Sequence, residues 1–173
     1  IEFGQYGLMR SAAHRENILT TDWTRVGLGI ALSDDGYLYI TQEFSTSEIT
    51  TTDLINYKAQ LYTEINNKRS QNRLSSLTTT TPLESTGNYL NNKVINEGAT
   101  MTNALFSEAL NANSISGQAE AIGRNFNIWA EMLSSILDSE TSIVESTWQN
   151  MGADIQLDTK GIIHAILIIN DPN

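Results

Sequence analysis

The sequence predicts an α+β protein, with antiparallel hairpins and helices in separate stretches of the chain rather than in strict alternation. Three observations carry this. A segment near each end alternates apolar and polar residues around a turn signal. The stretch between them has helical periodicity. The two ends also resemble each other: shifted by 125 positions, Ile18 falls on Ile143, Trp23 on Trp148, Gly27 on Gly152, Ile30 on Ile155, Leu32 on Leu157 and Gly36 on Gly161. Leu19 with Val144, Val26 with Met151 and Thr21 with Ser146 agree in kind. An offset of this size reads as a duplicated domain whose first copy is cut short.

The elements follow in order. The opening IEFGQYGLMR has neither an initiator Met nor a basic-then-apolar leader, and reads as the start of a trimmed chain. Ser11 is placed to cap a helix running to Leu19. In RVGLGIALS, Val26, Leu28, Ile30 and Leu32 share a face; Asp34–Gly36 is a hairpin signal, and YLYITQEF returns as the second strand. STSEITTTD is polar and aperiodic, a linker between copies. Leu54–Arg69 puts Leu54, Tyr57, Leu61 and Ile65 on one helical stripe. LSSLTTTTPLES reads as a loop, with Pro82 suited to a helix's first turn, and ESTGNYLNNKVINEGATM as a second, poorer helix. LFSEALNANSISGQAEAIGRN reads as a long ordered loop. NIWAEMLSSIL is a third helix with Ile128, Met132 and Ile136 aligned. GADIQLD, TKG and IIHAILII then repeat the hairpin, the last strand apolar on both faces and therefore central.

Composition excludes several classes. Net charge is −10 and the pI about 4.5, with no basic run, so nucleic acid and anionic lipid surfaces are repelled. The chain has no cysteine, which removes disulfides, Cys-based zinc sites and thiol nucleophiles. No apolar run is long enough for a transmembrane segment.

GLMRSAAHRENILTTDWTRVGLGIALSDDGYLYITQEF resembles the C-terminal half of the bacterial CAP superfamily domain, also called the SCP-like or cysteine-rich secretory protein, antigen 5 and pathogenesis-related 1 domain. The bacterial pattern is a W-M-x-S-x-x-H-R-x-N-I-L helix, a G-x-G-x-A strand, a turn and a Y-x-T-Q-x-F strand. Leu8 takes the Trp place; Met9, Ser11, His14, Arg15, Asn17, Ile18 and Leu19 fit, as do Gly27, Gly29, Ala31, Tyr39, Thr41, Gln42 and Phe44. The rest is similar to a second, drifted copy. LYTEINNKRSQNRLSSL is similar to the opening helix I-N-x-x-R-x-x-N-G-L-x-x-L. Phe106–Glu108 falls at F-S-H, and Ala119–Ile122 at G-E-N-I. The resemblance implies an α-β-α sandwich, a mainly antiparallel sheet flanked by helices. It implies export, and a cleft of two His and two Glu that can bind a divalent cation.

On this alignment residues 1–45 are the C-terminal half of one such domain, 46–53 a linker and 54–173 a complete but degenerate domain. His14 matches one cleft histidine, a metal ligand or a proton carrier near neutral pH, with Arg15 beside it. It is the candidate catalytic residue; the competing reading packs both side chains over the sheet edge. The usual second His and its Glu would precede Ile1. In the second copy Ser139 stands for His14, on the same helix without its histidine, and Glu108 for the F-S-H histidine; Glu120 keeps the cleft type. Glu108 and Glu120 could attract Ca²⁺ or Mg²⁺ as oxygen donors, or lie solvated in loops. His164, in an apolar strand, reads as a packed or edge residue. Together these point to a secreted or cell-surface, non-catalytic module without a cofactor, binding a small apolar, cell-envelope or protein ligand through His14, Arg15, Glu108 and Glu120. The alternatives are a metal-dependent or Ser/His hydrolase centred on His14, and a surface adhesin with a Ser/Thr/Asn-rich exterior. Residues 1–45 are too few for an independent core. Their apolar face calls for cover by a missing half-domain, by residues 54–170 or by a domain-swapped second copy.

Overall fold

In the computed structural model, helices α1 (Glu2–Arg10) and α2 (Ala12–Leu19) precede a hairpin of strands β1 (Arg25–Leu32) and β2 (Leu38–Ser45). These belong to one unit, Ile1–Ile49; Thr50–Asn173 form a second. The structure describes residues 2–20, 23, 25–45 and 48–173. Thr21 of the repeat and positions 46 and 47 of the linker lie outside the described residues.

The second unit contains α3 (Thr51–Gln71), β3 (Thr78–Thr79), α4 (Thr81–Glu97), α5 (Asn103–Ala112), β4 (Gln118–Phe126), α6 (Trp129–Ser139), a 3₁₀ turn (Ser142–Val144), β5 (Asn150–Leu157) and β6 (Ile163–Asp171). Its sheet has the order β3-β5-β6-β4, antiparallel except for the β3–β5 pair. β6 lies inside it, and Ile163, Ala165, Ile166, Leu167, Ile168 and Ile169 are all buried, as expected of a strand covered on both faces. Successive residues face opposite layers. Ile166 and Ile168 pack with Leu83 and Leu90 of α4 and Ala109 of α5. Ala165, Leu167 and Ile169 belong to the other face, which α3 and α6 cover with Leu61, Ile65, Met132 and Ile136. The architecture is the α-β-α sandwich, and the fold class is α+β.

Two contacts set this geometry. α4 lies directly on β5: a Cβ at Gly152 would come within 2.4–2.5 Å of Leu83 and Glu84 backbone, and one at Gly87 within 3.1–3.2 Å of Asp154 and Ile166. On the other side, Arg69 at the end of α3 is only 1% exposed and donates to four carbonyls: Ser75 (2.8 Å), Ile143 (2.8 Å), Glu145 (2.9 Å) and Trp148 (3.3 Å). One turn earlier, Asn66 holds Leu77 by both backbone groups, donating to its carbonyl at 3.2 Å and accepting from its N–H at 2.8 Å. The I-N-x-x-R text is thus a pair of backbone clamps.

The two hairpins share one register. β1 pairs with β2 from Arg25↔Ser45 to Leu32↔Leu38, and β5 with β6 from Asn150↔Asn170 to Leu157↔Ile163, every partner shifted by 125. The turns match as well. Ser33 N–H bonds Tyr37 O and Gly36 N–H bonds Ser33 O; Asp158 N–H bonds Ile162 O and Gly161 N–H bonds Asp158 O. Gly36 (φ +87°) and Gly161 (φ +82°) both occupy the left-handed region that favours glycine.

Several expectations need correction. Residues 105–125 are not a loop but contribute most of α5 and β4. Thr102 caps α5 by accepting from Leu105 N–H at 3.2 Å, and β4 is drawn into the sheet by β6 despite a poor strand composition. α1 and the short β3 carry no signal that was read. The stretch 46–53 is not all linker: Thr50 and Asp53 form a capping box that starts α3. Ile128 is not on the buried stripe of α6 but caps it, 48% exposed; Trp129 is buried instead, stacked on Tyr57 at 4.6 Å. Residues 139–144 do not repeat the α2 helix. α6 ends at Ser139 and a 3₁₀ turn follows; beyond it the Ile143 and Glu145 carbonyls accept from Arg69 rather than from a continuing helix.

Arg69→Met should leave those four carbonyls without their charged donor. We expect a loss of about 3 kcal/mol in denaturant unfolding and a fall in Tm of roughly 10 °C. Arg69→Lys should not restore it, because one ammonium cannot span the four acceptors.

Candidate functional site

α2 carries His14 and Arg15 on its exposed surface. Ser11 stands at the N-cap with extended backbone, but its hydroxyl does not cap the helix; it lies 2.8 Å from His14 Nδ1. Arg15 Nη1 donates to Met9 O at 3.4 Å. Among the described residues no carboxylate reaches the His14 ring, so Ser11 and His14 are a pair without the third, orienting group of a triad.

The two carboxylates are not brought together. Glu108, on α5, accepts from the Tyr89 hydroxyl at 2.5 Å on the α4 side of the sheet. That bond raises the Tyr89 phenol above its ordinary range. Glu120, on β4, alternates with Ala121, which packs into the α4–α5 cluster, so its side chain belongs to the opposite face. There it accepts from the Ser142 hydroxyl at 2.7 Å. Neither lies in a loop: Glu108 is exposed on a helix and Glu120 half-buried on a strand. The proposed Glu108–Glu120 oxygen pair therefore does not form. Among the described residues no three of His, Cys, Asp and Glu gather around one point.

An open groove of about 610 Å³ runs along the outer side of α6, with Phe126 and Ala130 as its apolar part and Ser134, Asp138 and Ser139 beside them. Ser139 is the counterpart of His14. Its hydroxyl donates to Ser135 O, and Ser134 donates to Asp138 at 2.7 Å. Next to it Arg124 pairs with Glu140 and reaches Ser135 Oγ at 3.3 Å. Each of these hydroxyls is thus engaged with a neighbouring carboxylate, carbonyl or guanidinium.

A smaller cavity, about 240 Å³, lies below the C-terminal half of α4 and is lined by Asn91, Val94, Met101, Asn125 and His164 among others. His164 is half-buried, with Nε2 3.2 Å from Asp158 Oδ2. Buried Asn91 donates to Asp154 Oδ2 at 2.9 Å and to its carbonyl at 3.1 Å. The sequence reading missed this cluster because its members lie on α4, β4 and β6, far apart in the chain.

Near the open edge of β5, where β3 has ended, the Tyr62 hydroxyl accepts from Ala153 N–H at 2.7 Å and donates to Glu84 Oε1 at 2.8 Å. Burial, and then the bond to Glu84, push this phenol far above its ordinary range. It is a protonated structural group.

Similarity to known proteins is structural. No protein-family model matches the sequence, and no curated protein matches it. An outer surface protein of Borrelia burgdorferi superposes with TM-score 0.59 at 17% identity, over 68% of this chain and 94% of that one. A cysteine-rich secretory protein of Staphylococcus aureus gives 0.59 at 13%, over 84% of this chain and 55% of that one. An extracellular protein of Bacillus anthracis containing an SCP domain gives 0.57 at 11%, over 78% and 46%. The chain therefore spans about half the length of the last two. It has the fold of the SCP, or CAP, domain. Among the described residues no helix is long and apolar enough to cross a membrane.

Asp158 supplies a pH test of the small cavity. Burial by itself would raise its carboxyl, but hydrogen bonds from Ile162 N–H, the His164 ring and Lys160 N–H outweigh that and hold it below the usual carboxylate range. A group lowered in the folded state stabilises it fully above the unfolded carboxyl value, about pH 4. That contribution disappears as pH falls through the lower folded value. Asp158→Asn should flatten the acid limb of Tm plotted against pH.

Proposed function

We propose that this is a secreted or cell-surface binding module of SCP-like fold that performs no catalysis of its own. In this reading 54–173 is a complete domain with a degenerate cleft, and 1–45 is the C-terminal half of a duplicated one. The shared hairpin register and the identical turn bonds support the duplication. The extracellular and outer-surface character of the proteins with this fold supports the location.

The observation that carries the binding role is what has become of the cleft positions. Ser139 replaces the imidazole, Glu108 is tied to Tyr89, and Glu120 is tied to Ser142 on the other side of the sheet. A site with no imidazole and no paired carboxylates can neither hold zinc tightly nor transfer protons in hydrolysis. The open groove along α6, where Phe126 and Ala130 stand beside Glu131, Ser134 and Asp138, suits a small amphiphilic ligand.

The Ser11–His14 contact favours one competing reading, a hydrolase centred on His14. Titration calorimetry with Zn²⁺ and a panel of ester and peptide substrates separates the two. We expect no turnover and no zinc binding in the micromolar range. Micromolar zinc affinity, or turnover abolished by His14→Ala, would reverse the conclusion.

A further inference from the structure

β4 carries a glycine that its backbone does not require. Gly123 lies between Ala121 and Asn125 on the sheet face that α4 and α5 cover, opposite Ile166 of β6. Its backbone is not in the left-handed region, and a Cβ there would meet no atom within 4 Å. Neither strain nor close packing therefore explains the missing side chain. What it leaves free is the cavity of about 240 Å³ under the C-terminal half of α4, which Gly123 lines.

The cavity has an apolar and a polar side. Val94, Met101 and Ile166 supply the first; Asn91, Asn125 and His164 supply the second. Two carboxylates behind the polar side decide which of its hydrogen-bonding groups are left over. Asn91 is only 1% exposed, and its amide nitrogen is spent on Asp154, at 2.9 Å from Oδ2 and 3.1 Å from the carbonyl. Among the described residues nothing donates to its Oδ1. Asp158 already accepts from Lys160 N–H at 2.8 Å and Ile162 N–H at 2.9 Å. A carboxylate can only accept, so the hydrogen in its 3.2 Å contact with His164 sits on Nε2. In the neutral ring this makes Nδ1 an acceptor, again without a donor among the described residues. The exposed Asn125 amide has no described partner either and is free to turn its oxygen inward. Arg124 sends its side chain to the other face of β4, where it pairs with Glu140 and Ser135. The polar side thus offers three acceptors, backed by two negative charges and faced by no cation.

We propose that this cavity binds a small organic ammonium ion. An alkylammonium has three N–H donors and no acceptor, which matches Asn91 Oδ1, Asn125 Oδ1 and His164 Nδ1. Its hydrocarbon part lies against Val94, Met101 and Ile166, in the space Gly123 leaves. A carboxylate or phosphate would meet acceptors and negative charge instead of a cation. A bare divalent ion would exchange its water for neutral ligands and an apolar wall. The site is on the opposite face of the sheet from the α6 groove and does not depend on that groove having a ligand.

The test is an NMR titration of the ¹⁵N-labelled full chain with n-hexylammonium, beside hexan-1-ol and hexanoate at the same ionic strength. At about pH 8 the ammonium keeps its proton and an ordinary imidazole has lost its own. Saturable shifts are expected at the amides of residues 123–125 and 164–166. Hexan-1-ol, with one donor and no charge, should bind about ten-fold more weakly, and hexanoate not at all. Gly123→Val places methyl groups in open space on a strand, which suits valine; it should abolish binding while the rest of the spectrum stays that of the folded chain. Asn125→Leu, at an exposed position, should weaken hexylammonium several-fold and spare hexan-1-ol. The proposal is overturned if hexylammonium shifts nothing at these amides, or if hexan-1-ol or hexanoate binds as tightly. It is equally overturned if folded Gly123→Val, or Asn125→Leu, binds hexylammonium as the parent chain does. Shifts spread over the acidic surface without saturation also overturn it, leaving only non-specific charge attraction.

Discussion

Arg69 lies buried at the end of α3, and among the described residues no carboxylate pairs with it. Removing a guanidinium from water costs several kcal/mol, and here backbone carbonyls from the segment after α3 and from the chain leading into β5 offset it. The consequences spread outward. The Ile143 and Glu145 carbonyls point at the cation instead of continuing a helical ladder, so no helix extends past the 3₁₀ turn that follows α6. That turn presents Ser142 to Glu120. A structural cation thereby determines where one of the candidate site carboxylates is spent.

The layers are held as closely from the other side. α4 rests on β5 at a distance only glycine permits at Gly152, and closely again at Gly87. The same hairpin, with the same register and turn bonds, therefore exists twice in two environments. In the second unit its faces are closed by helices and its side chains are buried; in the first, the equivalent side chains are open. Hydrogen-bond register is a local property of two strands and their turn, whereas burial depends on what covers them. The first unit keeps these side chains exposed, and the second buries their register equivalents under helices.

The chemistry of the site follows from sheet alternation. Glu108 and Glu120 are twelve residues apart in the chain, and α5 and β4 send them to opposite sides of one sheet. Opposite faces cannot share a cation. What remains on each side are hydroxyls and carboxylates already engaged with one another, beside an open groove along α6 and a smaller cavity under α4.

Most of the framework was legible in the sequence. Both hairpins, the 125-residue offset, the α3 stripe of Leu54, Tyr57, Leu61 and Ile65, the helix begun by Pro82 and the central position of β6 come from period, turn chemistry and self-similarity, which act within a few residues or repeat along the chain. The SCP-like fold followed from the motif text on those elements. Three things only the tertiary structure decided. Residues 105–125 became α5 and β4 because β6 supplied an edge and the α4 surface supplied a face, overriding weak local preference. Ile128 gave its place in the core to Trp129 because Tyr57 lay opposite. The directions of Glu108, Glu120 and the Ser11 hydroxyl were set by partners that no spacing encodes. Local periodicity determines which elements form; the face on which a polar side chain ends depends on hydrogen-bond partners distant in the chain, and those exist only once the layers have packed.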